Sequence, residues 1–310
     1  MVLHWQSLKT TRYYTKKNYG YANLEHQVPV NDQSIFRVYS ITKIVISVGI
    51  FQLIEQGKLS LEDKISKYVS GLPKDWQDIQ IKHLLSHSSG IPDMAPIPKF
   101  QDLTEQQAKE KVFAQACKFT PGERYDYNQT GFWLLKRVIE KIEQKKLANW
   151  IIQHQFQSPN DTAFFSSDSR DIIRHRVTAY FPFTKRTLTI DHPYLQGDYA
   201  HAQNGLNLSL SAFIIWDNLL RNNQLLKKKF KDLMWQLYPY TQSPKIFAYG
   251  WDKRLVDGHT SYGFSGSLVT AYRIFPAKNV SIILLSNGLT KFYNIENAMN
   301  ALAALVIPGK

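Results

Sequence analysis

Residues 41–59 constrain this chain more than any other stretch. Ile41, Ile44, Val45, Val48 and Phe51 repeat at helical spacing, and Ile46, Ile50, Leu53 and Ile54 carry apolar character around most of the circumference. A helix that is apolar on nearly all sides is buried. Gly57, with Lys58 beside it, marks its end. Yet Ser40, Lys43 and Ser47, spaced by three and then four residues, share one face. A buried lysine is costly unless it is paired or loses its proton, because burial disfavours the charged amine. A neutral amine beside a hydroxyl can take its proton, which is how a serine becomes a nucleophile. Ser40 also stands at the helix start, where free backbone N–H groups favour developing negative charge. The competing reading makes Ser40 an N-cap and lets Lys43 snorkel to water, and a Ser-x-x-Lys pair alone does not choose between them.

The rest of the chain sets the context. Aromatic and β-branched residues up to about Tyr21 read as one or two strands. Short helices are expected over residues 61–68 and 81–86, and longer ones over 104–117, capped by Thr104 with Gln107, and over 130–146. Residues 158–201 lack clear periodicity and read as loops with short strands, and a helix follows over 209–221. Strand-like runs return at 247–256, 267–275 and 280–285, with Pro276 and Asn279 suited to a hairpin connection, and an Ala-rich amphipathic helix closes the pattern over 295–306. Strands at both ends and helices between them predict an α+β fold: one antiparallel sheet built from both chain ends and flanked by helices, plus a mostly helical second lobe. The expected division is one domain over 1–310, with an α/β lobe from about 1–60 and 245–310 and a helical lobe over about 61–244.

Composition removes several alternatives. With 44% hydrophobic and 20% charged residues the chain can bury a core. Its net charge of +13 is spread along the sequence rather than gathered in a basic arm, so no nucleic-acid partner is expected. No stretch approaches the roughly 18 apolar residues of a membrane span. The N-terminal residues lack the apolar centre of a signal peptide, so the expected compartment is cytoplasmic, or periplasmic or extracellular if an export signal has been removed. Cys117 is the only cysteine, which rules out an intrachain disulfide, and it reads as a small buried residue on a helix. His83 and His87 are four apart but lack a metalloprotease glutamate or a third ligand, so neither metal nor cofactor is expected. Gly-x-Ser-x-Gly is absent, which disfavours an α/β-hydrolase.

Phe36-Arg37-Val38-Tyr39-Ser40-Ile41-Thr42-Lys43 resembles the nucleophile motif of the serine β-lactamase and penicillin-binding-protein superfamily, and within it the class C β-lactamase, D-alanyl-D-alanine carboxypeptidase and esterase group. Residues 57–63, 84–92, 121–131 and 204–209 resemble further segments of that group in the same order. The resemblance implies a β-lactamase/transpeptidase-like fold. It makes Ser40 the nucleophile, Lys43 the group that holds or accepts its proton, and Tyr127 the tyrosine that relays protons. Phe264-Ser265-Gly266-Ser267 falls where the group carries Lys/His-Thr/Ser-Gly on an edge strand, with the Ser267 and Ser40 N–H groups as the oxyanion hole. The residues expected to bind substrate are therefore Ser267, Gln129, Phe264, Ser265 and Gly266, beside Ser40. Two departures stand out. Gln129 replaces the usual Asn, and Phe264 replaces a residue that commonly holds a substrate carboxylate. The resemblance implies a serine hydrolase that forms an acyl-enzyme on a small-molecule or peptide amide, β-lactam or ester. Esterase or peptidase action is favoured over efficient β-lactam hydrolysis. The alternative is a catalytically lapsed binding protein on the same fold. Oligomeric state is left open by the sequence.

Overall fold

The computed structural model describes residues 2–9, 11–97, 102–156, 162–183, 187–190, 197–244, 246–267, 269–288 and 295–307. The chain enters as an antiparallel pair, β1 (Val2–Lys9) and β2 (Thr11–Asn18), then a short hairpin of β3 (Tyr21–Asn23) and β4 (Val28–Pro29), then β5 (Ile35–Arg37). A 3-10 turn over Tyr39–Ile41 leads directly into α1 (Thr42–Glu55). The helical middle contains α2 (Ile81–Leu85), α3 (Glu105–Phe113), α4 (Gln129–Glu143) and α5 (Leu147–Gln155). It continues through β6 (Ala163–Phe165), β7 (Tyr180–Phe183), β8 (Thr187–Ile190), α6 (His201–Asn204), β9 (Leu206–Ser209), α7 (Leu210–Arg221) and α8 (Lys228–Met234). The last part comprises β10 (Asp252–Val256), β11 (His259–Gly266), β12 (Thr270–Phe275), β13 (Val280–Leu285) and α9 (Ile295–Val306).

One sheet unites the two ends of the chain. Its order is β10-β11-β12-β13-β1-β2, antiparallel throughout, and β1 closes on β13 from Val2↔Leu285 to Ser7↔Val280. Every residue of β12 and β13 is buried, so both faces of the sheet centre are covered. Alternation along the strands divides those faces. Ala271, Phe275, Val280, Ile282 and Leu284 pack with Ile295, Met299 and Ala303 of α9. Tyr272, Ile274, Ile283 and Leu285 join the main core on the other face, which includes α1. The expected α+β architecture is thus the observed one.

Several elements differ from the sequence expectation. Residues 61–68 form only a 3-10 turn, Ile65–Lys67. The helix expected to reach Cys117 ends at Phe113, which leaves Cys117 half-buried in the turn beyond. The run expected at 267–275 begins as a strand only at Thr270, and the edge strand implied by the resemblance at 264–267 is β11, which starts earlier, at His259, and ends at Gly266. A three-stranded sheet, β5-β9-β6, which joins the strand before the nucleophile turn to two strands from the helical section, was not foreseen. Within residues 158–201, the stretches 158–161, 184–186 and 191–196 lie outside the described residues. The Pro276–Asn279 hairpin matches its sequence signal: a 3-10 turn with Asn279 in the left-handed region at φ 53°.

Candidate active site

Ser40 sits in the 3-10 turn at the head of α1, one turn before Lys43. Its neighbour Tyr39 is held at φ 49°, a conformation unusual for a non-glycine residue. Lys43 is 1% exposed, as the apolar surroundings of the helix require. Its Nζ donates to the Gln203 carbonyl at 2.7 Å and lies 3.4 Å from Ser40 Oγ. Burial pulls the Lys43 ammonium down to about 7, opposed by the negative charge of Asp93. The Tyr127 hydroxyl donates to Ser40 Oγ at 2.9 Å from the loop preceding α4. Lys43 Nζ also lies 5.0 Å from the Tyr127 ring centroid. Three groups that are 87 residues apart in sequence at the widest therefore converge on one oxygen.

The proximity of Lys43 suggests an eased ionisation of Tyr127, but burial dominates and pushes the phenol up from its ordinary value, against the hydrogen bond with Ser40. Above about pH 7 the pair is therefore a phenol that donates and an amine able to accept. Ser47, the third member of the polar stripe, is structural. Its hydroxyl donates to the Tyr249 carbonyl at 2.6 Å, and a Cβ on Gly250 would lie 2.6 Å from Ser47 Cβ.

The turn after α2 fixes Tyr127 in place. His87, at φ 54°, accepts the Asn128 N–H on Nδ1 at 3.1 Å. Asn128 caps α4 by accepting from the Gly131 N–H and reaches back to the Ile91 carbonyl at 2.8 Å. Asp93 Oδ1 accepts the Gln129 N–H at 2.9 Å and the Ala95 N–H at 3.3 Å. Burial and the charge of Lys43 hold His87 well below the usual imidazole range, so it is a neutral positioning group. His83 Nδ1 accepts the Gln80 N–H. Among the described residues no cluster of three His, Cys, Asp or Glu is arranged to hold a metal.

The third wall is β11. Pairing with β10 ends at Asp252↔Gly263, so residues 264–266 have a strand neighbour, β12, on one side only. Phe264 stacks on Tyr127 with ring centroids 5.9 Å apart and planes 18° from parallel, and meets Phe247 edge-on. Strand alternation turns Ser265 to the opposite face, where its hydroxyl donates to Glu296 at 2.8 Å. Its side chain is thus directed away from Ser40. Gly266 abuts the nucleophile turn, and a Cβ there would fall 2.3 Å from the Val38 carbonyl. Ser267 follows at φ 47°.

The geometry adds two groups with little sequence signal. Gln203 acts through its backbone carbonyl. Asp93 is a lone acid just past the recognised turn at residues 84–92, and only its field on Lys43 and its grip on Gln129 single it out. Gln129 lies beside Tyr127, with Oε1 buried and without a hydrogen-bond partner.

Residues 8–306 match the beta-lactamase family, described as Beta-lactamase. The chain belongs to that family. Penicillin-binding protein 4* of Bacillus subtilis is 32% identical over 144 residues, covering 43% of this chain and 31% of that relative. The chain thus spans about a third of the length of this curated relative. Among solved structures, a penicillin binding protein from Bacillus halodurans superposes with a TM-score of 0.81 at 20% identity, covering 97% of this chain and 95% of the other. The D-amino acid amidase of Ochrobactrum anthropi SV3 reaches 0.81 at 16% identity, with 98% and 93% covered. At these identities the two structures establish a shared fold. No described helix is long and apolar enough to cross a membrane.

Proposed function

We propose that this beta-lactamase-family protein is a serine hydrolase that forms an acyl-enzyme on Ser40 and acts on esters or amides. The carrying observation is the convergence of Tyr127 at 2.9 Å and a buried Lys43 at 3.4 Å on the Ser40 oxygen. Above about pH 7 the Lys43 amine is mostly neutral and can accept the Oγ proton as Oγ attacks the substrate carbonyl carbon. The carbonyl electron pair moves onto oxygen, at the head of α1, where the N–H groups of Ser40 and Ser267 would receive it. Each such donor contributes about 3 kcal/mol of transition-state stabilisation. Collapse breaks the bond to the leaving group, which takes the Tyr127 proton, and Tyr127 regains one from the Lys43 ammonium. Water then attacks the acyl ester, passes its proton to the same pair and returns Ser40 to its hydroxyl form.

Phe264 shapes the substrate end. An aromatic ring neither pairs with a carboxylate nor carries a proton, so substrates whose recognition depends on a carboxylate at that position are disfavoured. Uncharged acyl groups that pack on an aromatic wall are favoured. The hydrogen-bonded trio favours this reading over that of a lapsed binding protein. The test is turnover of p-nitrophenyl butyrate, a D-amino acid anilide and nitrocefin by the wild type and Ser40→Ala. The ester is expected to be cleaved faster than nitrocefin, and Ser40→Ala to lose at least about 10³-fold. Ester turnover that survives Ser40→Ala would contradict the proposal.

A further inference from the structure

The carbonyl that receives the Lys43 amine belongs to Gln203 in α6, a helix of a single turn. The last carbonyls of a helix have no partner within it and are open to outside donors. Two of them here are taken by cations from the nucleophile segment. Gln203 O accepts from Lys43 Nζ at 2.7 Å, and Asn204 O accepts from Arg37 Nε at 3.0 Å. Arg37 Nη2 also donates to Asn204 Oδ1 at 2.6 Å, so one planar guanidinium grips both the main chain and the side chain of the residue next to Gln203. The same guanidinium lies 5.3 Å from the Tyr39 ring centroid, beside the turn that carries Ser40. The Val38 N–H donates to Leu206 O at 3.0 Å and the Leu206 N–H to Thr42 Oγ1 at 3.2 Å, which fastens the next residues to the same segment. Gly205 has no slack, since a Cβ there would fall 2.5 Å from Ser167 Oγ and 2.8 Å from His201 Cα.

Resting on the hydrolase reading, we infer that Arg37 is a positioning residue of the reaction: its two-pronged grip on Asn204 aims the Gln203 carbonyl at Lys43 Nζ and so directs the amine at Ser40 Oγ. An amine with one N–H bound to a carbonyl has its other positions set, whereas a released amine turns away from the serine. The carbonyl also favours the ammonium, because a charged donor bonds to it more strongly than a neutral one. Loosening it therefore lowers both the rate and the pH at which Lys43 gives up its proton. The charged and titratable groups facing Lys43 are Asp93 and His87 from the chain after α2 and Tyr127 from the loop before α4. Around Arg37 stand Tyr39, Arg176 and His201. Burial holds His201 down at about 4, below the range in which Lys43 titrates.

The test is the rate of Ser40 labelling by a fluorophosphonate against pH, in the wild type, Arg37→Lys and Asn204→Ala, with urea unfolding of each. Arg37→Lys keeps the charge but cannot bond two oxygens from one rigid plane, and Asn204→Ala removes only the side-chain prong. Arg37→Lys is expected to label about tenfold or more slowly above the acid limb, with the midpoint of that limb lowered by about half a pH unit or more. Asn204→Ala is expected to lower the midpoint by less. A midpoint that stays at the wild-type pH or rises in folded Arg37→Lys overturns the inference even where the rate falls, because a merely structural arginine gives that result. Where Arg37→Lys does not fold, an unmoved or raised midpoint in Asn204→Ala overturns it equally. In both cases the wild type still labels, and the hydrolase reading stands. A wild type that does not label overturns both.

Discussion

At the residue scale, the chemistry rests on how Lys43 is housed. Unfolded, a lysine loses its proton near 10.4, whereas the buried amine does so at about 7. Activity that needs the neutral amine should therefore rise with pH through an acidic limb near 7, measured as kcat/KM for an uncharged ester. Stability carries the complementary signature. Between about 7 and 10.4 the unfolded chain holds a proton that the folded chain has lost, so folding gains as pH rises through that window, by at most about 1.4 kcal/mol per pH unit. Below it the full cost of the buried ammonium is felt. Lys43→Met should abolish turnover yet be more resistant to urea than the wild type at pH 6, the gap narrowing by pH 9. A Met variant less stable than the wild type at pH 6 would mean that Lys43 is not held against its burial.

At the element scale, the site depends on β11 lying against the nucleophile turn, and Gly266 permits the approach. Val38 O, Thr270 Oγ1 and Tyr39 Cβ would lie 2.3, 2.5 and 3.1 Å from an added Cβ. Gly266→Ala must push the strand from the turn, at about 1–3 kcal/mol of stability. Activity should fall far more than this, because small displacements of positioned groups cost about 10²-fold. Urea unfolding and ester turnover on the same samples check both. Much of this arrangement was legible in the sequence. Ser40, Lys43 and Tyr127 announced themselves through local spacing and motif order, and His87 through its turn. β11 was harder to see because Ser261, Gly263, Ser265 and Gly266 dilute the β-branched pattern that marks a strand. The direction of Ser265 follows from a period of two only once that strand is known. β5, β6 and β9, of three or four residues each, are too short to display a period. Asp93 and the Gln203 carbonyl left no pattern, since one carries no spacing partner and the other belongs to the backbone.

At the scale of the whole molecule, the central sheet must be held to the helices that carry the site. Asp217 of α7 is fully buried and accepts from Tyr272 of β12 at 2.6 Å, Ser281 of β13 at 2.7 Å and Arg221 at 2.9 Å. It joins helix, two strands and a cation whose side chain is 5% exposed. Asp217→Ala strips that cation of its carboxylate and should cost about 3–5 kcal/mol, read from urea unfolding, and a loss below about 1 kcal/mol would show that the network is not needed. The fold thus sets a buried amine and a phenol on one serine oxygen, and the decisive question is whether that oxygen reacts. The most direct measurement is intact-protein mass spectrometry after a fluorophosphonate, followed by peptide mapping. The expected result is a single adduct on Ser40, formed faster as pH rises through 7 and absent in Ser40→Ala. An unlabelled protein, or an adduct that persists in Ser40→Ala, would contradict it.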